Sequence, residues 1–181
     1  WMQEQGHDSR MLVYSRMSGD PQVREIGSPL KRTLNPLFVK AEAKFDSVAM
    51  LPILSHRLDN DPWVRDADIV NLQLIHAAPF FSLLDLPRLS RKKRVVLSVH
   101  DMFLFSGHCI YSMDCDRWKI GCGQCPDLGL PFQMSKDTTS RNWKLKRWAF
   151  DRSELDIVVG SPWQDERVSQ SPMLGRFRRH M

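Results

Sequence analysis

Three places in this 181-residue chain carry side chains whose types and spacing suit chemistry. The first is His100-Asp101, which directly follows the apolar run R-V-V-L-S-V. A histidine and a carboxylate there would stand at the carboxyl end of a strand, where open α/β sheets bind their ligands. The second is a cysteine block. All four cysteines fall in G-H-C-I-Y-S-M-D-C-D-R-W-K-I-G-C-G-Q-C-P, residues 107–126, with the spacing Cys109-x5-Cys115-x6-Cys122-x2-Cys125. Four thiolates can hold a structural zinc ion tetrahedrally; Cys122-x2-Cys125 has the usual ligand spacing and the other half is looser. Four packed thiols in a compact loop are an equal reading. A pair of disulfides ranks behind both, because it needs an oxidising compartment and nothing in the sequence indicates export. His108 is a substitute ligand or simply polar loop surface. The third place is Gly160-Ser161-Pro162, after the run L-D-I-V-V. It opens a helix whose N-terminus suits an anion, although a plain capping role for Ser161 is the commoner use.

These residues need a scaffold. Four segments read as buried strands: residues 9–14, 68–75, 94–100 and 155–160. The last two are β-branched and almost continuously apolar, as in the centre of a parallel sheet covered on both faces. Helical patterns lie between them, over residues 80–89 and 138–152, and a last helix starts at Ser161-Pro162-Trp163-Gln164. There Ser161 is a good N-cap, Pro162 suits the first helical position, and Gln164 completes a capping box. The alternation predicts an α/β, doubly wound parallel sheet. Between Met17 and Leu58, Ser28 and Pro29 read as loop markers along with Gly19, Asp20, Pro21 and Gly27, and residues 37–58 as helical with a break near Pro52.

Composition bounds the rest. With 42% hydrophobic residues the chain can bury a core, which excludes a disordered tail or a collagen-like repeat. Its 26 Lys and Arg against 21 Asp and Glu leave a net charge of +5, mild enough to allow a phosphate-rich partner without choosing one. The longest uncharged stretch, residues 69–84, is shorter than the roughly 18 apolar residues of a spanning helix. No G-x-G-x-x-G follows a strand, which argues against a dehydrogenase. The polar start at Trp1 and the ending R-F-R-R-H-M read as cuts from a longer chain without a signal peptide.

The stretch V-H-D-M-F-L-F-S-G-H-C-I-Y-S-M-D-C-D-R-W-K-I-G-C-G-Q-C-P-D-L, residues 99–128, resembles the signature of a bacterial branch of the family 4 glycosyltransferases. The carrying motifs are His100-Asp101-Met102, Ser106-Gly107-His108-Cys109 and the block from Cys115 to Pro126. Flanking pieces agree in order: Gly6-His7-Asp8-Ser9, Ala67-Asp68-Ile69-Val70, Asp137 with Asn142-Trp143 and Lys146, and Ser161-Pro162-Trp163. The match is weakest from Met17 to Leu58. Two departures bear on acceptor binding: Gln73 stands where the family strand carries a histidine, and Phe103-Leu104 replace a Trp-Pro pair.

The resemblance implies the N-terminal, acceptor-side half of a GT-B enzyme, in which two Rossmann-like domains face each other across a cleft. Residues 1–181 would be most of that half, with a Cys-rich loop over residues 101–135; the first strand and the whole donor domain would lie outside the chain, which alone would be inactive. The reaction would transfer a sugar from a nucleotide-sugar, a substrate rather than a cofactor, to a saccharide or lipid-linked acceptor in surface polysaccharide synthesis, in the cytoplasm or at the inner face of the membrane. His100 would hydrogen-bond the donor sugar or a reacting hydroxyl. Asp101 would orient His100, bind acceptor hydroxyls or cap the following loop. Ser106, Gly107 and His108 would line the cleft floor, and Ser161 would contact phosphate. No catalytic cofactor is expected; zinc at the cysteines would be structural. The basic helix with Arg141, Lys144, Lys146, Arg147 and Arg152 beside Trp143 and Trp148 reads as a solvated face with tryptophans packed inward, or as contact with anionic membrane. The competing class is a four-cysteine zinc module for nucleic acid or protein. The sequence lacks a groove-reading helix or an aromatic RNA platform, so nucleic acid is not expected as a partner.

Overall fold

The computed structural model describes residues 3–76, 78–129 and 133–181. It is α/β with parallel strands in two sheets, an arrangement compatible with a Rossmann-like fold. A two-stranded parallel pair joins β1 (Met11–Val13) to β2 (Val23–Glu25). A four-stranded parallel sheet runs in the order β3 (Ile69–Leu72), β4 (Arg94–Val99), β5 (Leu155–Val159), β6 (Arg178–His180). The two central strands are the apolar ones: Val95, Leu97 and Val99 of β4, with Ile157 and Val159 of β5, are buried in one core with Phe103, Phe105, Trp118 and Phe150. Because all four strands run the same way, their carboxyl ends lie along one edge. Gln73, His100 and Gly160 directly follow β3, β4 and β5 on that edge.

All four strands expected from sequence are present, trimmed at one or both ends, but β1 and β3 are not buried as expected: Met11 and Ile69 are 59% and 51% exposed. Two more were not legible. β2 is three half-buried residues, and β6, Arg-Arg-His, shows no apolar alternation. Charged residues on a short outer strand also deter pairing with another chain.

The helices depart from expectation in three places. α1 (Pro29–Lys44) starts well before residue 37 and ends long before Leu58. Ser28-Pro29 is its N-cap and first turn, with Ser28 Oγ accepting from the Lys31 amide at 3.4 Å. This is the same device as Ser161-Pro162, and it reads as a loop in the sequence because Ser28 and Pro29 follow Gly27 and are residues that also mark turns. Asp46 and Ala49 then adopt left-handed conformations (φ 47° and 59°), so the chain turns away and only a 3-10 turn, Leu58–Asn60, and the short α2 (Pro62–Asp66) come before β3. The helix expected over 80–89 begins as a 3-10 turn at Leu83–Asp85, capped by Ser82, and becomes α3 (Leu86–Lys92) with Pro87 in its first turn. α4 (Thr139–Asp151) and α5 (Pro162–Gln170) lie where expected.

α1 is turned inside out. Its buried residues are polar: Asn35 donates to the Pro79 carbonyl at 2.7 Å, and Glu42 accepts from the Met50 and Leu51 amides. Its outer face is apolar, with Leu30 and Leu37 69% and 62% exposed and Leu34, Phe38 and Phe45 beside them. The spacing 30, 34, 37, 38 places these on one stripe. No helix among the described residues is long and apolar enough to cross a membrane.

Candidate functional site

The open cleft on the carboxyl edge of the sheet has a volume of about 500 Å³ and is lined by Gln73, Ser98, Val99, His100, Val158, Gly160, Ser161 and Gln164. Its centre is His100, an exposed side chain held at a fixed angle. His100 Nε2 lies 2.7 Å from Gln73 Oε1. The Gln73 amide nitrogen donates to Ser98 Oγ at 2.7 Å and Asn71 Oδ1 at 3.1 Å, so its oxygen is the end that meets the imidazole. His100 therefore carries its proton on Nε2, and in the neutral ring Nδ1 is the acceptor nitrogen. Gln164 fixes the backbone below: its amide nitrogen donates to the His100 carbonyl at 2.6 Å and its oxygen accepts from the Gly160 amide at 2.8 Å.

The capping box is thus altered. Ser161 Oγ accepts from the Gln164 amide at 3.2 Å as expected, but the glutamine reaches past Ser161 to link the ends of β4 and β5. Neither Gln73 nor Gln164 stands out as a site residue in the sequence. Gln73 is visible there only as a departure from the family pattern, and Gln164 only as a cap. Among the described residues, no aspartate, glutamate, lysine or arginine lines the cleft. It offers amides, hydroxyls and one imidazole.

The expected site residues divide. His100 and Ser161 share this cleft. Asp101 turns away: its carboxylate binds His76 Nε2 at 2.9 Å and accepts from the Phe103 amide at 2.8 Å, which is the loop-capping role. His76 in turn stacks on Phe103, ring centroids 4.4 Å apart. Ser106, Gly107 and His108 do not form the floor of this cleft. Ser106 is buried and donates to the Cys109 carbonyl at 2.6 Å. Gly107 packs so tightly on the start of α4 that a Cβ there would stand 2.5 Å from Thr139 Cβ.

Gly107 and His108 instead line a second, much smaller space of about 20 Å³, together with all four cysteines, Arg117, Trp118, Gly123 and Thr139. The cysteines are free thiols, each partly buried. Burial raises the pKa of Cys109 and Cys125 and pushes Cys122 up to about 12. Among the described residues no three cysteine, histidine or acidic side chains are grouped tightly enough to hold a metal ion as they stand. The Cys-rich loop expected over 101–135 joins β4 to α4; residues 130–132 of it lie outside the described residues.

α4 holds this loop down. Asp137 accepts from the Thr139 amide and hydroxyl and, through its other oxygen, from the Cys125 amide at 2.8 Å. Trp143 Nε1 donates to the Trp118 carbonyl at 2.8 Å. Lys146, 1% exposed, donates to the Phe103 and Ser106 carbonyls and lies 3.4 Å from the Phe103 ring centroid. Burial pushes its pKa down to about 7. The basic, aromatic set of α4 is divided: Lys144, Arg147, Trp148 and Arg152 stay exposed, so of the two tryptophans expected to pack inward only Trp143 does. Trp143 and Lys146 point inward, and Arg141 is bound to the Phe45 carbonyl and Ser47.

Family models, curated proteins and solved structures were all compared with the chain, and none matches. Functional assignment therefore rests on the geometry and on the motifs of residues 99–128.

Proposed function

We propose that the chain is the acceptor-side domain of a family 4 glycosyltransferase of GT-B architecture, working with a nucleotide-sugar donor on a saccharide or lipid-linked acceptor in surface polysaccharide synthesis at the cytoplasmic face of the membrane. The observation that carries this reading is the His100 cleft. Sugar hydroxyls are neutral donors and acceptors, and the cleft presents matching neutral groups from three strand ends around one oriented imidazole. Its acceptor nitrogen suits a hydroxyl that must be positioned, or relieved of its proton, as transfer proceeds. Glycosidases work instead with two facing carboxylates, and among the described residues no carboxylate lines this cleft. The α5 N-terminus beside Ser161 adds amides and a positive dipole end for phosphate. The cysteine block is woven into α4 rather than appended, which favours this reading over a free-standing zinc module.

For a lipid-linked acceptor, the face suited to an anionic bilayer is α1. Its apolar stripe is flanked by the exposed Lys40 and Lys44, and its single acid, Glu42, is turned inward. Co-sedimentation with phosphatidylglycerol vesicles should be salt-sensitive and should fall when Leu37 and Phe38 are changed to Asp; equal pelleting of the variant refutes this contact.

The function is tested by titrating the chain with a panel of mono- and oligosaccharides while following the His100 ring by NMR, and by assaying the intact polypeptide that contains it with nucleotide-sugars. Saturable saccharide binding that His100→Ala weakens at least tenfold is expected. No binding across the panel, together with no sugar transfer by the intact polypeptide, overturns the proposal.

A further inference from the structure

We propose that the cavity under the Cys-rich loop is a structural zinc site, its ligands drawn from Cys109, Cys115, Cys122, Cys125 and His108. Two observations carry it. First, all five side chains line the same small space, although they are spread over residues 108–125. At about 20 Å³ that space admits one water-sized particle. Second, His108 is 1% exposed, and its Nε2 has no hydrogen-bond partner among the described residues. A buried imidazole nitrogen without a partner is costly. A bound metal ion would give that nitrogen a partner.

Zinc–sulfur bonds of roughly 2.3 Å would draw these side chains together. On binding, each coordinating cysteine gives its proton to solvent and its sulfur lone pair to the ion, and no oxidant is required. The soft thiolate and imidazole set selects zinc over magnesium or calcium. The backbone is already turned for it: Cys122, Gly123 and Gln124 are all left-handed (φ 55°, 81° and 49°), which bends the Cys122-x2-Cys125 segment back on itself. The ion would pin the loop against α4. It is placed away from the His100 cleft and acts on the fold, not on the sugar, so its presence is decided independently of the transferase reading.

The test uses the full chain purified with reductant and without chelator. Elemental analysis should find close to one zinc per chain, with the cysteines protected from a thiol reagent until a chelator is added. Chelation should lower the thermal midpoint, and ZnCl₂ should restore it. Replacement by Co²⁺ should give the visible absorption of a tetrahedral thiolate site, its intensity reduced in His108→Ala or Cys122→Ser. Because either variant can fail to fold, the wild-type metal content and thiol protection stand as a second measurement. Less than about 0.1 zinc per chain after ZnCl₂ addition, with all four thiols of the folded protein reacting freely, overturns the site.

Discussion

The His100 cleft and the cysteine cavity lie at two ends of one connection, the loop that leaves β4, yet they are built on opposite principles. The cleft is open, and its residues stand on the ends of regular strands. The backbone of β3, β4 and β5 would be the same with other side chains there, so the polar groups are free to serve a ligand. The cavity is built of irregular chain. Its backbone has no ladder to hold it, and side chains do that work: Asp137 to Cys125, Trp143 to the Trp118 carbonyl, Lys146 to Phe103 and Ser106. Apart from the Ser161 and Gln164 cap, polar residues are spare in the first region and structural in the second. Substitutions should therefore cost stability in the cavity and function in the cleft.

The largest effect is expected at Lys146. Lys146→Met keeps the stem and removes a charged donor from two buried carbonyls, at a cost of about 2–4 kcal/mol. Urea denaturation measures it. An unchanged midpoint would mean that the desolvation of the ammonium cancels its bonds, and the loop would not depend on α4 as described. Gly107→Ala comes next. The added Cβ meets Thr139 Cβ at 2.5 Å and the Thr139 carbonyl at 2.8 Å, and neither is the flexible end of a side chain. About 1–3 kcal/mol should be lost, with the amide signals of residues 121–125 shifted in NMR spectra and those of the cleft unmoved. Shifts that reach His100 would join the two regions that the comparison separates. At the cleft, Ser161→Ala removes the α5 cap and should cost about 1 kcal/mol. Its signature is a shift of the Gln164 and Gly160 amides, since the altered capping box ties both to the His100 carbonyl.

The same contrast explains what could be read in the sequence. β4 and β5 were legible because burial writes a run of apolar residues, β3 by its short β-branched run although Ile69 is 51% exposed, and His100 and Ser161 were legible by their position just after such runs. β2 and β6 left no pattern: three residues at an edge need not be apolar. α1 was misplaced because it buries Asn35 and Glu42 and exposes Leu30, Leu37 and Phe38, the reverse of the amphipathic rule. In the loop, the motif residues were found and their use was not. Gly107 reads as a cleft glycine until its distance to Thr139 is known, and Lys146 reads as one more basic residue of a solvated helix. The Asn142, Trp143 and Lys146 series is a set of ties from α4 to loops distant in sequence, Asn142 reaching the Asp46 carbonyl 96 positions away. Such contacts have no local period to betray them.

The smallest effect on stability, and the most telling for the cleft, is expected at Gln73. Its amide makes three hydrogen bonds at once, donating to Ser98 and Asn71 and accepting from His100. Gln73→Leu removes all three at an exposed position, so folding should change by no more than about 0.5 kcal/mol. The His100 ring, however, loses the bond that keeps its proton on Nε2. The ¹⁵N shifts of the imidazole should move from a single tautomer to a mixture, and saccharide affinity should fall by about fivefold, the worth of one ordinary hydrogen bond. Gln73→His separates the two duties. A neutral imidazole has one donor and one acceptor, so it can accept from His100 while donating to only one of Ser98 and Asn71. It should hold the His100 tautomer nearly as well as glutamine does and bind saccharide between the wild type and the leucine variant. If the leucine variant keeps both the tautomer and the affinity, His100 is held by something other than Gln73, and the cleft's order would have to come from the backbone alone.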